Sequence, residues 1–204
     1  MHKKSIGAII LAAGASSRMG ENKLLLPFGH PPDTVLDNVI NAAKRADLSR
    51  LLLVSGNCRY EIETIAKQHG IKTVFNSQYL RGQANSIRRG LEVWPKDMAA
   101  MFLLGDQPHI SPNIINILVA AYTQKGSGII VPRSPNGKRG NPVIFPPNFF
   151  PELLSLSGDE GGRSLFKTNI ESVMYVDMVD DTVIEDMDNR EQYEKLRKKY
   201  STEF

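Results

Sequence analysis

Two segments of this chain place charged side chains beside glycines at the end of an apolar run. The first is Leu11-Ala12-Ala13-Gly14-Ala15-Ser16-Ser17-Arg18-Met19-Gly20-Glu21-Asn22-Lys23, which follows Ile6-Gly7-Ala8-Ile9-Ile10. Glycines let main-chain N–H groups approach a ligand, and Arg18 and Lys23 supply the positive charge that a triphosphate needs. The segment therefore reads as a phosphate-handling turn for a nucleotide. Spacing excludes the two commoner nucleotide loops. The Rossmann pattern needs a second glycine two residues after the first, where Ser16 stands, and a P-loop needs Gly-Lys-Ser/Thr, whereas Gly20 is followed by Glu21 and Lys23 by Leu24.

The second segment is Met101-Phe102-Leu103-Leu104 running into Gly105-Asp106-Gln107-Pro108. Asp106 at the carboxyl end of a strand is where a magnesium ligand is useful, because Mg²⁺ takes one or two carboxylates and completes its shell with phosphate oxygens and water. An Asx-type turn ahead of Pro108 is the competing role. A further acidic group, Glu185-Asp186-Met187-Asp188, precedes the last helical pattern, and taken alone Asp188 reads as the N-cap of that helix rather than a metal ligand. Gly158-Asp159-Glu160-Gly161-Gly162-Arg163 suits close approach to an anion and equally a capped turn between helices. Gly82-Gln83-Ala84-Asn85-Ser86 joins a loop to a helix start, where free N–H groups and the Ser86 hydroxyl could meet a nucleotide or simply cap the helix. The four histidines are scattered without zinc spacing, His109 follows Pro108 and could lie near the site but reads rather as part of a surface turn, and no Gly-x-Ser-x-Gly elbow is present.

The elements that must position these groups alternate. Strands are expected at Ile6 to Ala12, Leu51 to Ser55, Lys72 to Phe75, Ala100 to Leu104 and Gly128 to Val131, and helices near Thr34 to Ala46, Tyr60 to His69, Gln83 to Trp94 and Pro112 to Lys125. Such alternation predicts right-handed βαβ units on a mainly parallel sheet, with ligands at the carboxyl ends of the strands. After Val131 the rhythm changes. Pro132 to Pro142 is turn-rich and basic, and Val143-Ile144-Phe145 returns as the second strand of a hairpin, a flap beside the site. Short helices at Pro147 to Leu156 and Gly162 to Lys167, a strand at Ser172 to Asp177 and a helix at Asn189 to Tyr200 complete the expectation.

With 204 residues, 41% hydrophobic and 23% charged, the chain suits one globular domain over 1–204. A net charge of +3 is too small to argue for nucleic acid, and Lys195 to Lys199 reads as a solvated helix face. Cys58 is the only cysteine, so a reducing cytoplasm is expected. The apolar run after Met1-His2-Lys3-Lys4 is too short to span a bilayer, and no membrane association is expected.

Taken together, these residues resemble the MobA-like nucleotidyltransferases, and within them the MocA-like molybdenum cofactor cytidylyltransferases. The pieces are Leu-Ala-Ala-Gly-x-Ser-x-Arg-Met-Gly-x-x-Lys at 11–23, Gly-Asp-Gln-Pro at 105–108, Lys-Arg-Gly-Asn-Pro at 138–142, Gly-Asp-x-Gly-x-Arg at 158–163 and Asp-x-Asp at 186–188. The resemblance implies a three-layer, Rossmann-like α/β fold with a mainly parallel sheet. It puts Leu11, Ala12, Ala13, Gly14, Gly82 and Ser86 on the nucleotide, Arg18 and Lys23 on its phosphates, and Asp106 with Asp188, or Asp186 in its place, on Mg²⁺. It assigns the acceptor to Arg139, Gly140, Asn141 and Pro142 and to Asp159 and Arg163. The substrates it implies are CTP and a molybdopterin-type acceptor, with a molybdoenzyme such as a xanthine dehydrogenase, or its maturation factors, as recipient. Ala13 resembles the cytidylyl rather than the guanylyl branch, whereas Gln83-Ala84 stands where Met-Ser is common and Asn141 where histidine is frequent.

The chemistry so implied is attack by a terminal phosphate on the α-phosphorus of CTP. That phosphate has a second pKa near about 6 and is already largely dianionic at neutral pH, so no general base is required. Arg18, Lys23 and Mg²⁺ then carry the burden of neutralising charge and aligning attacker with leaving group. The rivals are a sugar- or polyol-phosphate nucleotidyltransferase and a non-catalytic nucleotide- or pterin-binding maturation factor.

Overall fold

A strand buried on both faces must be apolar along its length, and β1 (Ile6–Ala12) is: Ala8, Ile10 and Ala12 pack into one core cluster and Ile9 into the other. The computed structural model describes residues 5–15 and 19–200. After β1 come α1 (Val35–Arg45), β2 (Leu51–Ser55), α2 (Arg59–Gln68), β3 (Lys72–Phe75), α3 (Gln83–Glu92), β4 (Ala99–Leu104), α4 (Pro112–Lys125), β5 (Ile129–Arg133) and β6 (Val143–Phe145). The chain closes with α5 (Phe150–Ser155), α6 (Leu165–Thr168), β7 (Val173–Asp177) and α7 (Arg190–Tyr200).

The seven strands form one sheet in the order β3-β2-β1-β4-β6-β5-β7. All pairings are parallel except those of β6, which runs against both β4 and β5. The hairpin expected after Val131 is thus present, with Arg133 bridging Arg139 near its turn. Its return strand is an interior strand of the main sheet, fully buried, so only the turn stands clear as a flap. Apolar content alone does not distinguish these two placements, since Val143-Ile144-Phe145 suits either.

Helices cover both faces. On one side α1, α2, α4 and α7 contribute Leu36, Ile40, Ile62, Ile115, Leu118 and Tyr193; on the other α3, α5 and α6 contribute Ile87, Leu91, Leu153, Leu165 and Phe166. Helix starts follow their caps. Thr34 and Asp37 form a reciprocal capping box at α1, and Ser111 caps α4 with Pro112 in its first turn. This three-layer arrangement leaves the carboxyl ends of β1, β3 and β4 at one edge of the sheet, and the candidate site lies there. No helix of the described residues is long and apolar enough to cross a membrane.

Candidate active site

Lys23 begins a single 3₁₀ turn, Lys23–Leu25, fixed by Asn22, whose side chain accepts from Leu24 N–H at 3.0 Å. That turn aims Lys23 across the end of β4. Its Nζ lies 2.5 Å from Asp106 Oδ2 and 3.3 Å from Asp188 Oδ1, and it donates to the Met187 carbonyl at 3.1 Å. Charge-assisted contacts of this kind are shorter and stronger than neutral ones. The turn after β4 is held by main-chain bonds, Gln107 N–H to Leu104 O and Ile110 N–H to Gln107 O, while the Asp106 carboxylate faces Lys23.

Asp188 is not the cap of α7. Asn189 takes that role, its Oδ1 accepting from Gln192 N–H at 2.9 Å, while Gln192 Oε1 accepts from Asp188 N–H at 2.7 Å. Asp188 turns its carboxylate to Lys23 instead. The two acidic segments are tied by Gln107, buried to 3% exposure, which donates from Nε2 to Glu185 O at 3.2 Å. Glu185 itself accepts from Tyr200 at 2.8 Å and Lys199 at 2.6 Å. Asp186 lies close to this centre. Burial pushes its carboxyl above the usual range, and the negative charges of Asp188 and Asp106 add to the rise against the opposing Arg163 and Lys23.

His109 is not in a surface turn: it is 5% exposed and stacks on Tyr200 with ring centroids 5.8 Å apart, behind the Asp106 turn. Neither ring nitrogen has a hydrogen-bond partner, and burial lowers its pKa to about 4. It is neutral at pH 7.

Two clefts flank the centre. One, of about 510 Å³, is lined by Ala13, Gly14, Lys23, Asp106, Gly82 and Ser86, with Tyr79 and Leu80 on its outer side. The other, of about 320 Å³, has Asn141, Asp159, Arg163 and Asp186 around an apolar floor of Phe102, Phe145 and Phe166. Leu11, Gln83, Leu104 and Asp159 line both, so the clefts adjoin.

Arg18 lies outside the described residues. Ala12 is fully buried in the core. The Ser86 hydroxyl is buried and accepts from Asn76 Nδ2 at 3.1 Å. The start of α3 is not a row of unused donors either, because Ala84 N–H bonds Gly158 O at 3.1 Å and Asn85 N–H bonds Gly82 O. Gly82 has φ 98°, and a Cβ there would fall 2.2 Å from Gly158 O, so this junction admits only glycine.

In the 139–142 segment Asn141 lines the second cleft. Gly140 packs against Val183 and Pro142 is buried, while the exposed Arg139 lies over the rings of Phe166 at 5.8 Å and Tyr175 at 5.5 Å. Tyr79 and Leu80 were not expected, and Gln83 was named only as part of the 82–86 helix start. Their sequence signal was position alone, since Tyr79 and Leu80 follow β3 and Gln83 opens the next helix, and Leu80 is 76% exposed.

Among the described residues no group of three or more His, Cys, Asp and Glu could by itself hold a metal ion. Hard carboxylate oxygens gathered at one point nevertheless fit a magnesium-type ion that takes most of its shell from substrate and water.

The structure thus combines a mainly parallel sheet with a lysine–carboxylate centre beside two adjoining clefts at the carboxyl ends of its strands. The chain belongs to the MobA-like NTP transferase domain family, whose model matches residues 8–173, and it is a nucleotidyltransferase. The purine catabolism protein PucB of Bacillus subtilis is 28% identical over 95% of this chain and 96% of its own length. The molybdenum cofactor cytidylyltransferase of Escherichia coli is 33% identical over 69% of each, and both relatives support the MocA-like branch. Among solved structures, Rv0371c of Mycobacterium tuberculosis has a TM-score of 0.80 at 27% identity, covering 96% of this chain and 99% of that one; another structure of Rv0371c is a complex with manganese.

Proposed function

We propose that this nucleotidyltransferase moves CMP from CTP to the terminal phosphate of molybdopterin, or of its metal-loaded form, giving a cytosine dinucleotide and pyrophosphate. The observation that carries the reading is the meeting of two clefts at Leu11, Gln83, Leu104 and Asp159, with the Lys23 centre opening on the larger one. An oxygen of the acceptor phosphate forms a bond to the α-phosphorus while the bond from that phosphorus to the bridging oxygen breaks, and the electron pair leaves with pyrophosphate. The attacking oxygen is already ionised at neutral pH, so the step asks for no general base.

In this reading the backbone around Ala13 and Gly14 supports the nucleotide, and Lys23, with Arg18, meets its phosphates. Asp106 and Asp188 would hold Mg²⁺, with Asp186 beside them. The ion supplies neutralisation of the charge that builds on the transferred phosphoryl group and on pyrophosphate. Asn141, Asp159 and Arg163 serve the acceptor, and the aromatic floor of the second cleft suits a flat heterocycle. The protein works as a single domain in the cytoplasm and hands its product to a molybdoenzyme.

Incubation with CTP, Mg²⁺ and molybdopterin, followed by mass analysis of the product, tests this. A cytosine dinucleotide supports the reading; CMP transfer to a sugar 1-phosphate and not to the pterin would replace the acceptor.

A further inference from the structure

Gln83 opens α3, is exposed, and lines both clefts. The helix start that carries it is docked on the 158–162 turn through Gly82 and the bond from Ala84 N–H to Gly158 O. In that position its carboxamide rests on Gly161. A Cβ added at Gly161 would lie 2.7 Å from Gln83 Oε1 and 3.6 Å from Cδ, with no other group within 4 Å. Gly161 has φ −91°, an angle any residue adopts. The missing side chain of Gly161 therefore leaves room for one thing, the end of Gln83.

Resting on the reading of the clefts as nucleotide and acceptor sites, we propose that Gln83 is a positioning residue for the acceptor phosphate. With Oε1 turned to Gly161, its Nε2 is the end that serves a phosphate oxygen at the seam, where attacker and α-phosphate must meet. The charge pattern favours an amide. Asp106, Asp159, Asp186 and Asp188 already crowd the centre, so another carboxylate would repel a dianion, while an apolar side chain would give no donor.

The test is a cycle of Gln83→Leu, Gly161→Ala and both together, each checked for unaltered thermal unfolding. Gly161→Ala keeps every atom of Gln83 and adds one methyl that displaces the carboxamide. Both single variants are expected to raise the acceptor KM about tenfold or more, the size of one hydrogen bond to a charged group. The double variant is expected to be no worse than Gln83→Leu, because the methyl then has nothing to displace. A wild-type acceptor KM in Gly161→Ala, or additive losses in the double variant, would overturn the proposal. A second readout does not need turnover. The side-chain amide resonance of Gln83 should move when inorganic phosphate is added to the CTP-loaded protein, and should not in Gly161→Ala. An unmoved resonance in the wild type overturns the role of Gln83, whereas no turnover of molybdopterin with a moving resonance overturns only the acceptor assignment.

Discussion

Asp106, at the end of a mid-chain strand, and Asp188, just ahead of the last helix, meet at one point: both carboxylates lie within 3.3 Å of the Lys23 ammonium. Neither acidic segment is a metal site alone. Their convergence on one ammonium joins the two segments, and the consequences can be measured.

Lys23→Met removes the cation between the carboxylates and the one described lysine of the nucleotide cleft. Turnover should fall by about 100-fold or more, the usual cost of deleting a preorganised charge at a transferred phosphoryl group, while the protein stays folded. Steady-state pyrophosphate release with circular dichroism as control checks this. A variant with near-normal kcat would place the phosphates elsewhere.

Asp106→Asn and Asp188→Asn each keep the shape of the side chain and remove a charge. Mn²⁺ binding, followed by electron paramagnetic resonance, should weaken at least about tenfold in each, since so few protein oxygens hold the ion. Unchanged affinity in Asp188→Asn would leave Asp186 as the second ligand.

His109 gives a pH signature in stability. Its pKa is about 4 in the fold against 6.5 ordinarily, so as pH falls below about 6.5 the unfolded chain takes up a proton that the folded chain refuses. Stability is lost between those values and is retained above 6.5. At pH 5 the loss from this one group is about 2 kcal/mol. Urea midpoints at pH 7.5 and 5 should separate more for the wild type than for His109→Phe. Parallel curves would mean that His109 opens to water in solution.

Gly82→Ala puts a methyl against Gly158 O at a backbone angle of φ 98°. We expect a loss of about 2 kcal/mol or more, read as a fall in melting temperature, together with weaker binding in both clefts, because this junction joins their walls. Normal melting would contradict the tight docking of α3 on the 158–162 turn.

The layers and most elements could be read from the chain because their causes are local. A strand buried on both faces, such as β1, shows as an unbroken apolar run, and Thr34 with Asp37 marks a helix start in four residues. Position in the sheet is not local. Val143-Ile144-Phe145 reads the same as an outlying hairpin strand or as an interior one, and it is interior. The site divides likewise. Lys23 and Asp106 stand out beside their glycines, but Asp188 looked like a helix cap because Asn189, which does the capping, differs from it only by an amide. Gln83 carries no charge and shows in the sequence only as one member of the 82–86 helix start; it matters through Gly161, distant in sequence and adjacent in space. His109 was expected at a surface turn because the ring it stacks on, Tyr200, comes from the far end of the chain.

Pyrophosphate release with Mg²⁺, measured for CTP, GTP, UTP and ATP at equal concentration with molybdopterin as acceptor and sugar 1-phosphates as controls, tests the central claim most directly. The account predicts release with CTP and the pterin, and little with any other pairing. Release confined to a sugar 1-phosphate, or bound nucleotide with no release at all, would contradict it.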